Sequence, residues 1–283
     1  MVIAKEGHSV ELLPGIHSIP AGADPFTGFY APNVYLVMGK VGAMIDAGFG
    51  DDESIAARME YVRSFTGLRL SYIVVTHAHP DHVGGAVRMR EETGAQVVLH
   101  PLECEGAQSA GVTADRQVTE GDELDLDGFV FEFIHTPGHS PGHICIYIRE
   151  EGVLFSGDHV LGIGTTAMRP PEGDMAQYIE SLERLLSYDI RLICPGHGPP
   201  IRQARTKIEE LIKHRLEREE QVLSGLARGK GTVEELVAEI YPELDHRLHE
   251  AAKGQVQAHL VKLERAGRAY PTGSEENARY ALR

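Results

Sequence analysis

The stretch at positions 76 to 85 reads THAHPDHVGG and packs four potential metal ligands, His77, His79, Asp81 and His82, into six residues. Imidazole and carboxylate are the donors that suit zinc, manganese or iron. His77 and His79, two residues apart at the end of a strand, leave it on one face and give two coordinating arms. Asp81 and His82 stand where a helix begins, so the turn there can aim them at a second position. Gly84 and Gly85 behind them allow tight packing where side chains would crowd. Three later turns add donors, each after an apolar run: His139 in TPGHSPGH, Asp158 in FSGDH and His197 in CPGHG. A histidine taken alone is more often a surface or core residue than a ligand; the ordered set is what points to a metal centre. Two divalent cations about 3.5–4 Å apart bring the pKa of a shared water down to about 7, so the chemistry expected is hydrolysis.

Such donors need rigid elements behind them. SYIVVT (71–76) reads as a short, β-branched, buried strand that ends at the histidine motif. Further strands are predicted at 96–100, 129–135, 143–148 and 152–156, after a β-meander over VELLPGIHSIP and NVYLVMGKVGAMIDAGFG. Helices are predicted at 52–66, 83–92 and 174–187, the last opening on Asp174 and Gln177 at capping-box spacing. LICPGHG (192–198) repeats the grammar of strand followed by a histidine-bearing loop.

The chain changes character after Pro200. A long amphipathic helix is expected over 204–227, carrying Ile208, Leu211, Ile212, Leu216, Val222, Leu223 and Leu226. Thr232 and Glu235 form a second capping box, two helical patterns follow with a split near Gly254, and a hairpin is placed around Pro271 to Gly273. Helix, short helix, helix and hairpin is the pattern of a winged helix-turn-helix. Lys207, Lys213, His214, Arg215 and Arg218 make a basic stripe on the long helix, but Glu209, Glu210, Glu217, Glu219 and Glu220 interleave, so a salt-bridged solvent face is expected.

Composition sets the remaining bounds. The 283 residues, 31.0 kDa, are 42% apolar and contain no run long enough to span a bilayer, and the first residues lack the apolar stretch of a signal peptide; a soluble, cytoplasmic protein with no membrane partner is expected. Three cysteines without CxxC spacing suggest neither a disulfide framework nor a thiolate zinc site. Residues 1–201 carry 12 Lys/Arg against 28 Asp/Glu, whereas 202–283 carry 15 against 14. The acidic part repels a polyanion in general, so nucleic acid would have to be held by a local basic patch, bound metal or the C-terminal region.

The ordered set HxHxDH, TPGH, SGD and PGHG resembles the metallo-β-lactamase superfamily over residues 10 to 200 or so. The resemblance implies an αββα sandwich of α/β class over 1–203 and a small α-helical winged-helix-like domain over 204–283. It also implies two divalent ions, zinc with manganese or iron allowed. His77, His79 and His139 would hold one, Asp81, His82 and His197 the other, and Asp158 would bridge them. Asp81 would serve catalysis as well. SGDHVLGIGTT, YIESLERL, ICPGHGPPI and the C-terminal helices are similar to the β-lactamase-like protein 2 group, whose characterised members are endoribonucleases on single-stranded RNA. Thr165 and Thr166, in a loop expected to flank the pocket, are candidates for hydrogen bonds to phosphate or carbonyl oxygens. His143 and His159 lie beside ligands and are expected to support them or face solvent. Fold alone does not choose a substrate. The leading expectation is an RNA phosphodiesterase, the alternative a small-molecule acyl hydrolase for thioesters or lactones, and the third a metal-sensing regulator that binds DNA through the winged helix. A homodimer is a possible assembly.

Overall fold

The computed structural model describes residues 9–20, 31–272 and 278–283; His8 and the expected turn at Gly273 lie outside them. By compactness the chain forms two units: Met1–Thr136 with Gly142–Gly164 and Asp189–Ala204, and Pro137–Pro141 with Thr165–Tyr188 and Arg205–Arg283. This differs from a single cut between 203 and 204, because two earlier segments go with the C-terminal one.

The first unit holds two sheets. One has seven strands in the order β1 (Val10–Leu13), β2 (Ile16–Pro20), β3 (Asn33–Met38), β4 (Gly42–Ile45), β5 (Leu70–Val74), β6 (Gln96–Leu99) and β7 (Arg116–Gln117). The meander β1 to β4 is antiparallel, and β4 to β7 are parallel. The other has five: β8 (Glu123–Asp125), β9 (Val130–His135), β10 (Ile144–Ile148), β11 (Val153–Gly157) and β12 (Leu192–Pro195), with β11 and β12 parallel.

Alternation along the strands explains the layering. Val34 and Leu36 of β3 join Ile73 of β5 and Val97 and Leu99 of β6 in a core shared with α1 (Asp52–Arg63), α2 (Pro80–Val83) and α3 (Ala86–Thr93). Their neighbours Tyr35, Val37, Val74 and Val98 face the other way, onto Phe131 and Phe133 of β9, Ile144 and Ile146 of β10 and Phe155 of β11. Successive side chains point to opposite faces, so a strand covered on both sides reads as the continuous apolar run seen in the sequence. The helix expected over 83–92 is interrupted: α2 ends at Val83 and α3 begins at Ala86. The two glycines between them touch backbone, a Cβ on Gly84 falling 2.4 Å from the Pro80 carbonyl oxygen and one on Gly85 2.3 Å from that of Ala47. A further helix, α4 (Cys104–Ser109), follows β6.

The second unit contains α5 (Met175–Leu185), α6 (Ala204–Ala227), α7 (Val233–Ile240), α8 (His249–Arg265) and a hairpin of β13 (Ala269–Thr272) with β14 (Arg279–Leu282). Asp174 caps α5 by accepting from the Ala176 and Gln177 amides, and Thr232 with Glu235 closes a capping box on α7. Val222, Leu226, Leu236, Val237, Val256, Leu260 and Leu263 form the core of the winged helix. The split expected near Gly254 is absent: α8 runs through it, and the glycine is there because a Cβ would lie 2.5 Å from the Met168 carbonyl oxygen. Arg215, placed on a solvent face from the sequence, is instead 1% exposed. Its guanidinium donates to Gln255 Oε1 at 2.8 Å and to the Thr166 carbonyl at 2.7 Å and stacks over the Tyr178 ring. Glu219 is buried as well, paired with Lys262 and Arg268. Among the described residues no helix is long and apolar enough to cross a membrane.

Candidate metal centre

The donors sit where strands end. β5 delivers Thr76 and His77, α2 begins one residue after His79 with Pro80 in its first turn, β11 delivers Asp158, and β12 delivers Gly196 and His197. Proline suits that first helical turn because it lacks an amide that would be unpaired there anyway. The turn before His197 is fixed from β3: Asn33 donates its side-chain amide to the Pro195 and Gly198 carbonyls at 3.0 and 2.8 Å, and the Tyr35 hydroxyl reaches Pro195 at 2.7 Å.

In the first unit, six of the predicted ligands converge. His77 Nε2 lies 3.0 Å from His79 Nδ1. His82 Nε2 lies 3.6 Å from Asp81 Oδ2 and 3.4 Å from Asp158 Oδ1; His197 Nε2 lies 3.1 and 3.5 Å from the same two atoms. His77, His82 and Asp158 form one group of donors within 4.8 Å of one another, and Asp81, His82 and His197 a second. A tetrahedral ion with bonds of 2.0–2.2 Å sets neighbouring donors about 3.3–3.6 Å apart, close to these separations. His82 Nε2 is buried and makes no hydrogen bond, while its other nitrogen, Nδ1, is 2.7 Å from Asp46 Oδ2. A buried ring nitrogen left to face two carboxylate oxygens is what a cation would satisfy. The nitrogen and oxygen donors therefore fit divalent metal.

Asp46 went unnoticed in the sequence. It follows β4, is 2% exposed, and adopts a left-handed backbone at φ 59°, which aspartate tolerates better than most residues. Its carboxylate accepts from the Thr76 amide at 2.8 Å and the Thr76 hydroxyl at 3.0 Å, and it orients His82. The short string DAG was the only trace of it. His143 is likewise a support: Nδ1 meets the Thr136 hydroxyl at 2.8 Å and Nε2 accepts the Asp158 amide at 3.1 Å. Gly157 and Gly196 keep the space clear, since a Cβ on the first would lie 2.7 Å from His143 Nε2 and on the second 2.4 Å from Asp158 Oδ1. His159, also buried, lies against His143 with ring centroids 5.8 Å apart.

Charge in the cluster is strongly coupled. Burial by itself raises the Asp81 carboxyl, but His82 and the hydrogen-bonded His197 outweigh it and hold the group at about 2. Burial disfavours a charge on His82, yet Asp46, Asp81 and Asp158 overcome this and raise it well above the ordinary value; His197 is raised by Asp158 and Asp81 in the same way. A ligating imidazole is neutral, so a cation binding here displaces protons.

The seventh predicted ligand, His139, belongs to the second unit. Its loop is held there by the Ser181 hydroxyl on the Pro137 carbonyl, and Gly138 lies where a Cβ would be 2.4 Å from the Tyr178 Cα. His139 Nδ1 is 2.9 Å from the Ala167 carbonyl oxygen. The tautomer that donates this bond carries its lone pair on Nε2, the atom a ligand would use. Of the two threonines, Thr165 is exposed and Thr166 is buried. The Thr166 carbonyl accepts from Arg215 and Gln255, and its hydroxyl from Tyr178 at 3.3 Å. That hydroxyl is thus engaged within the unit, whereas Thr165 is exposed.

A family profile described as the metallo-beta-lactamase superfamily matches residues 27–197, and one described as the beta-lactamase associated winged helix domain matches residues 232–277. The chain is 31% identical over 245 residues to a beta-lactamase-like protein 2 homolog of Caenorhabditis elegans, covering 86% of this chain and 81% of that one. A beta-lactamase-like protein 2 homolog of Drosophila melanogaster is 30% identical over 88% of this chain and 87% of its own. Among solved structures, a beta-lactamase domain protein from Burkholderia ambifaria superposes with a TM-score of 0.88 at 25% identity, covering 100% of this chain and 95% of that one. With its winged helix domain, the chain belongs to the metallo-β-lactamase superfamily, whose members are generally metal-dependent hydrolases.

Proposed function

We propose that the chain is a dinuclear metal-dependent hydrolase that cleaves phosphodiester bonds of single-stranded RNA. The observation that carries the hydrolase reading is the meeting of Asp81, His82, Asp158 and His197 at coordination spacing, with His82 Nε2 buried and without a hydrogen bond. In this reading His77, His79 and His139 would hold one ion, Asp81, His82 and His197 the other, and Asp158 would serve both. Zinc suits these borderline donors, and manganese or iron is compatible with them. When bound, such a pair supplies Lewis-acid polarisation and a nucleophile from water at neutral pH.

The chain's own groups set the geometry. Asp46 holds His82 in the tautomer that presents Nε2, and His143 fixes the backbone of Asp158. Asp81, partly exposed and 3.1 Å from His197 Nε2, is the group assigned to accept a proton from the attacking water. Support for RNA comes from the similarity to beta-lactamase-like protein 2 homologues over most of both chains, the group whose motifs the sequence carries. The exposed Thr165 hydroxyl is suited to a phosphate oxygen.

One observation favours a second reading, hydrolysis of a small thioester or lactone. On α8, the turn that follows it and the hairpin, Lys253 pairs with Glu234 and Glu250, Lys262 and Arg268 with Glu219, Arg265 with Asp174 and Arg279 with Glu235. Cations so engaged, in a chain whose residues 1–201 are strongly acidic, offer little to a phosphate backbone, and they weigh against DNA reading by the winged helix too. A labelled single-stranded RNA, an aryl phosphodiester, S-lactoylglutathione and a lactone, each tested with wild type and Asp81→Ala, separate the readings. RNA cleavage lost in Asp81→Ala supports the first; turnover of the acyl substrates alone rejects it.

A further inference from the structure

The geometry points to Glu103 as a positioning residue that locks the turn carrying two candidate ligands to the residue pair that supports a third, through a single carboxylate. This rests on the metal-dependent reading above.

Glu103 closes the one-turn helix 101–103 ahead of α4 and is 4% exposed. Its Oε2 accepts the Ala78 amide at 2.8 Å and its Oε1 the Gly142 amide at 2.8 Å. Ala78 stands between His77 and His79, so the first bond fixes the peptide unit that joins His77 to Ala78, inside the segment that carries both imidazoles. Gly142 precedes His143, the residue whose Nε2 receives the Asp158 amide. One buried anion thus ties the turn carrying two ligands to the turn that sets the backbone of a third. Bonds from amides to a carboxylate are charge-assisted, and inside a protein they are stronger than neutral ones.

The neighbouring residues are shaped around this contact. A Cβ on Gly142 would lie 2.8 Å from Glu103 Cγ and 2.9 Å from His100 Nδ1, so glycine there admits the carboxylate. A Cβ on Gly106 of α4 would lie 3.0 Å from the Ala78 Cβ, which matches the small residue found between the two histidines. His100, whose Nδ1 accepts the Leu102 amide, stacks on His135 with ring centroids 4.3 Å apart and backs the turn. Groups that hold ligand-bearing segments in place typically change metal affinity about ten- to a hundred-fold when altered.

The test is Glu103→Gln, which keeps the size of the side chain but presents an NH₂ group to one of the two amides. Four readouts apply: amide hydrogen exchange at Ala78 and Gly142 in the metal-free protein, zinc affinity by competition with a chromophoric chelator, the visible spectrum of the cobalt(II)-loaded protein, and thermal unfolding. The expected result is faster exchange at one or both amides, affinity reduced about ten- to a hundred-fold and a shifted cobalt spectrum, in a protein that still unfolds cooperatively. Unchanged affinity and spectrum overturn the inference, even if stability falls, because a merely structural carboxylate would lower stability alone. Should Glu103→Gln not fold, Gly142→Ala, which crowds the same carboxylate from the other side, is read in the same way. A wild type that binds no divalent ion sinks the metal-dependent reading itself, whereas a wild type that binds two with Glu103→Gln indistinguishable from it sinks only this inference.

Discussion

Replacing Asp46 by Asn is the most discriminating change at the centre, because it keeps the size and shape of the side chain while removing its charge and reversing the polarity of its hydrogen bond to His82. Asp46 Oδ1 accepts from the Thr76 amide and Oδ2 meets His82 Nδ1 at 2.7 Å. With Asn, the amide oxygen can still serve Thr76, so the NH₂ group is turned toward His82. Two donors then oppose each other unless the imidazole moves its proton to Nε2, where it points at Asp81 Oδ2 and Asp158 Oδ1, 3.6 and 3.4 Å away. In that tautomer Nε2 has no lone pair for a cation. Recovering the ligating form sacrifices one buried hydrogen bond to a charged group, about 1.5–3 kcal/mol. At about 1.4 kcal/mol per decade, this is a loss of roughly ten- to a hundred-fold in metal affinity. The assay is chelator competition at neutral pH, with elemental analysis for stoichiometry, far-UV circular dichroism for the fold and ¹⁵N shifts of His82 for the tautomer. An Asp46→Asn protein that keeps both ions within about twofold of the wild-type affinity, with Nδ1 still protonated, refutes the argument.

Two further outcomes follow from the packing. Gly196→Ala puts a methyl carbon 2.4 Å from Asp158 Oδ1 and 2.9 Å from His82 Cε1, so elemental analysis should find at least one ion lost from a protein with wild-type secondary structure. In the second unit, His259 at 3.9 Å and the Lys262 ammonium hold the Glu219 carboxyl at about 2, below its ordinary 4.5. A depressed carboxyl contributes stability that is full above the ordinary value and fades as pH falls toward about 2. Glu219→Gln should therefore cost about 1–3 kcal/mol at neutral pH, and the difference from wild type in urea unfolding should shrink steadily between pH 4.5 and about 2.

The candidate donors stand out in the sequence because each sits in a short string whose local grammar, apolar run then turn, is complete in itself. Asp46, Asn33 and Glu103 could not. Each is an ordinary residue whose role depends on neighbours far along the chain, Asn33 on the turn 195–198 and Glu103 on Ala78 and Gly142. Short polar strands β7 and β8 carried no apolar alternation to announce them. Gly254 looks like a helix break because its low propensity is a local signal, whereas the close approach of the Met168 carbonyl that requires it is not. Arg215 looks exposed by the same logic, since charge on a periodic helix normally faces water, and the Thr166 carbonyl, Gln255 and the Tyr178 ring account for its burial.

The placement of donors at the ends of β5, β11 and β12 also orders events in time. A chain emerging from the ribosome displays THAHPDH more than a hundred residues before His197 is made, and until the two sheets dock, that string is a loose chelator with few partners. Tight capture waits for the slowest, most non-local contacts of the first unit. On the proposed metal-dependent reading, ion loading would be a late step of maturation, and a variant slow to bring its sheets together would be recovered metal-poor even where every donor side chain is intact.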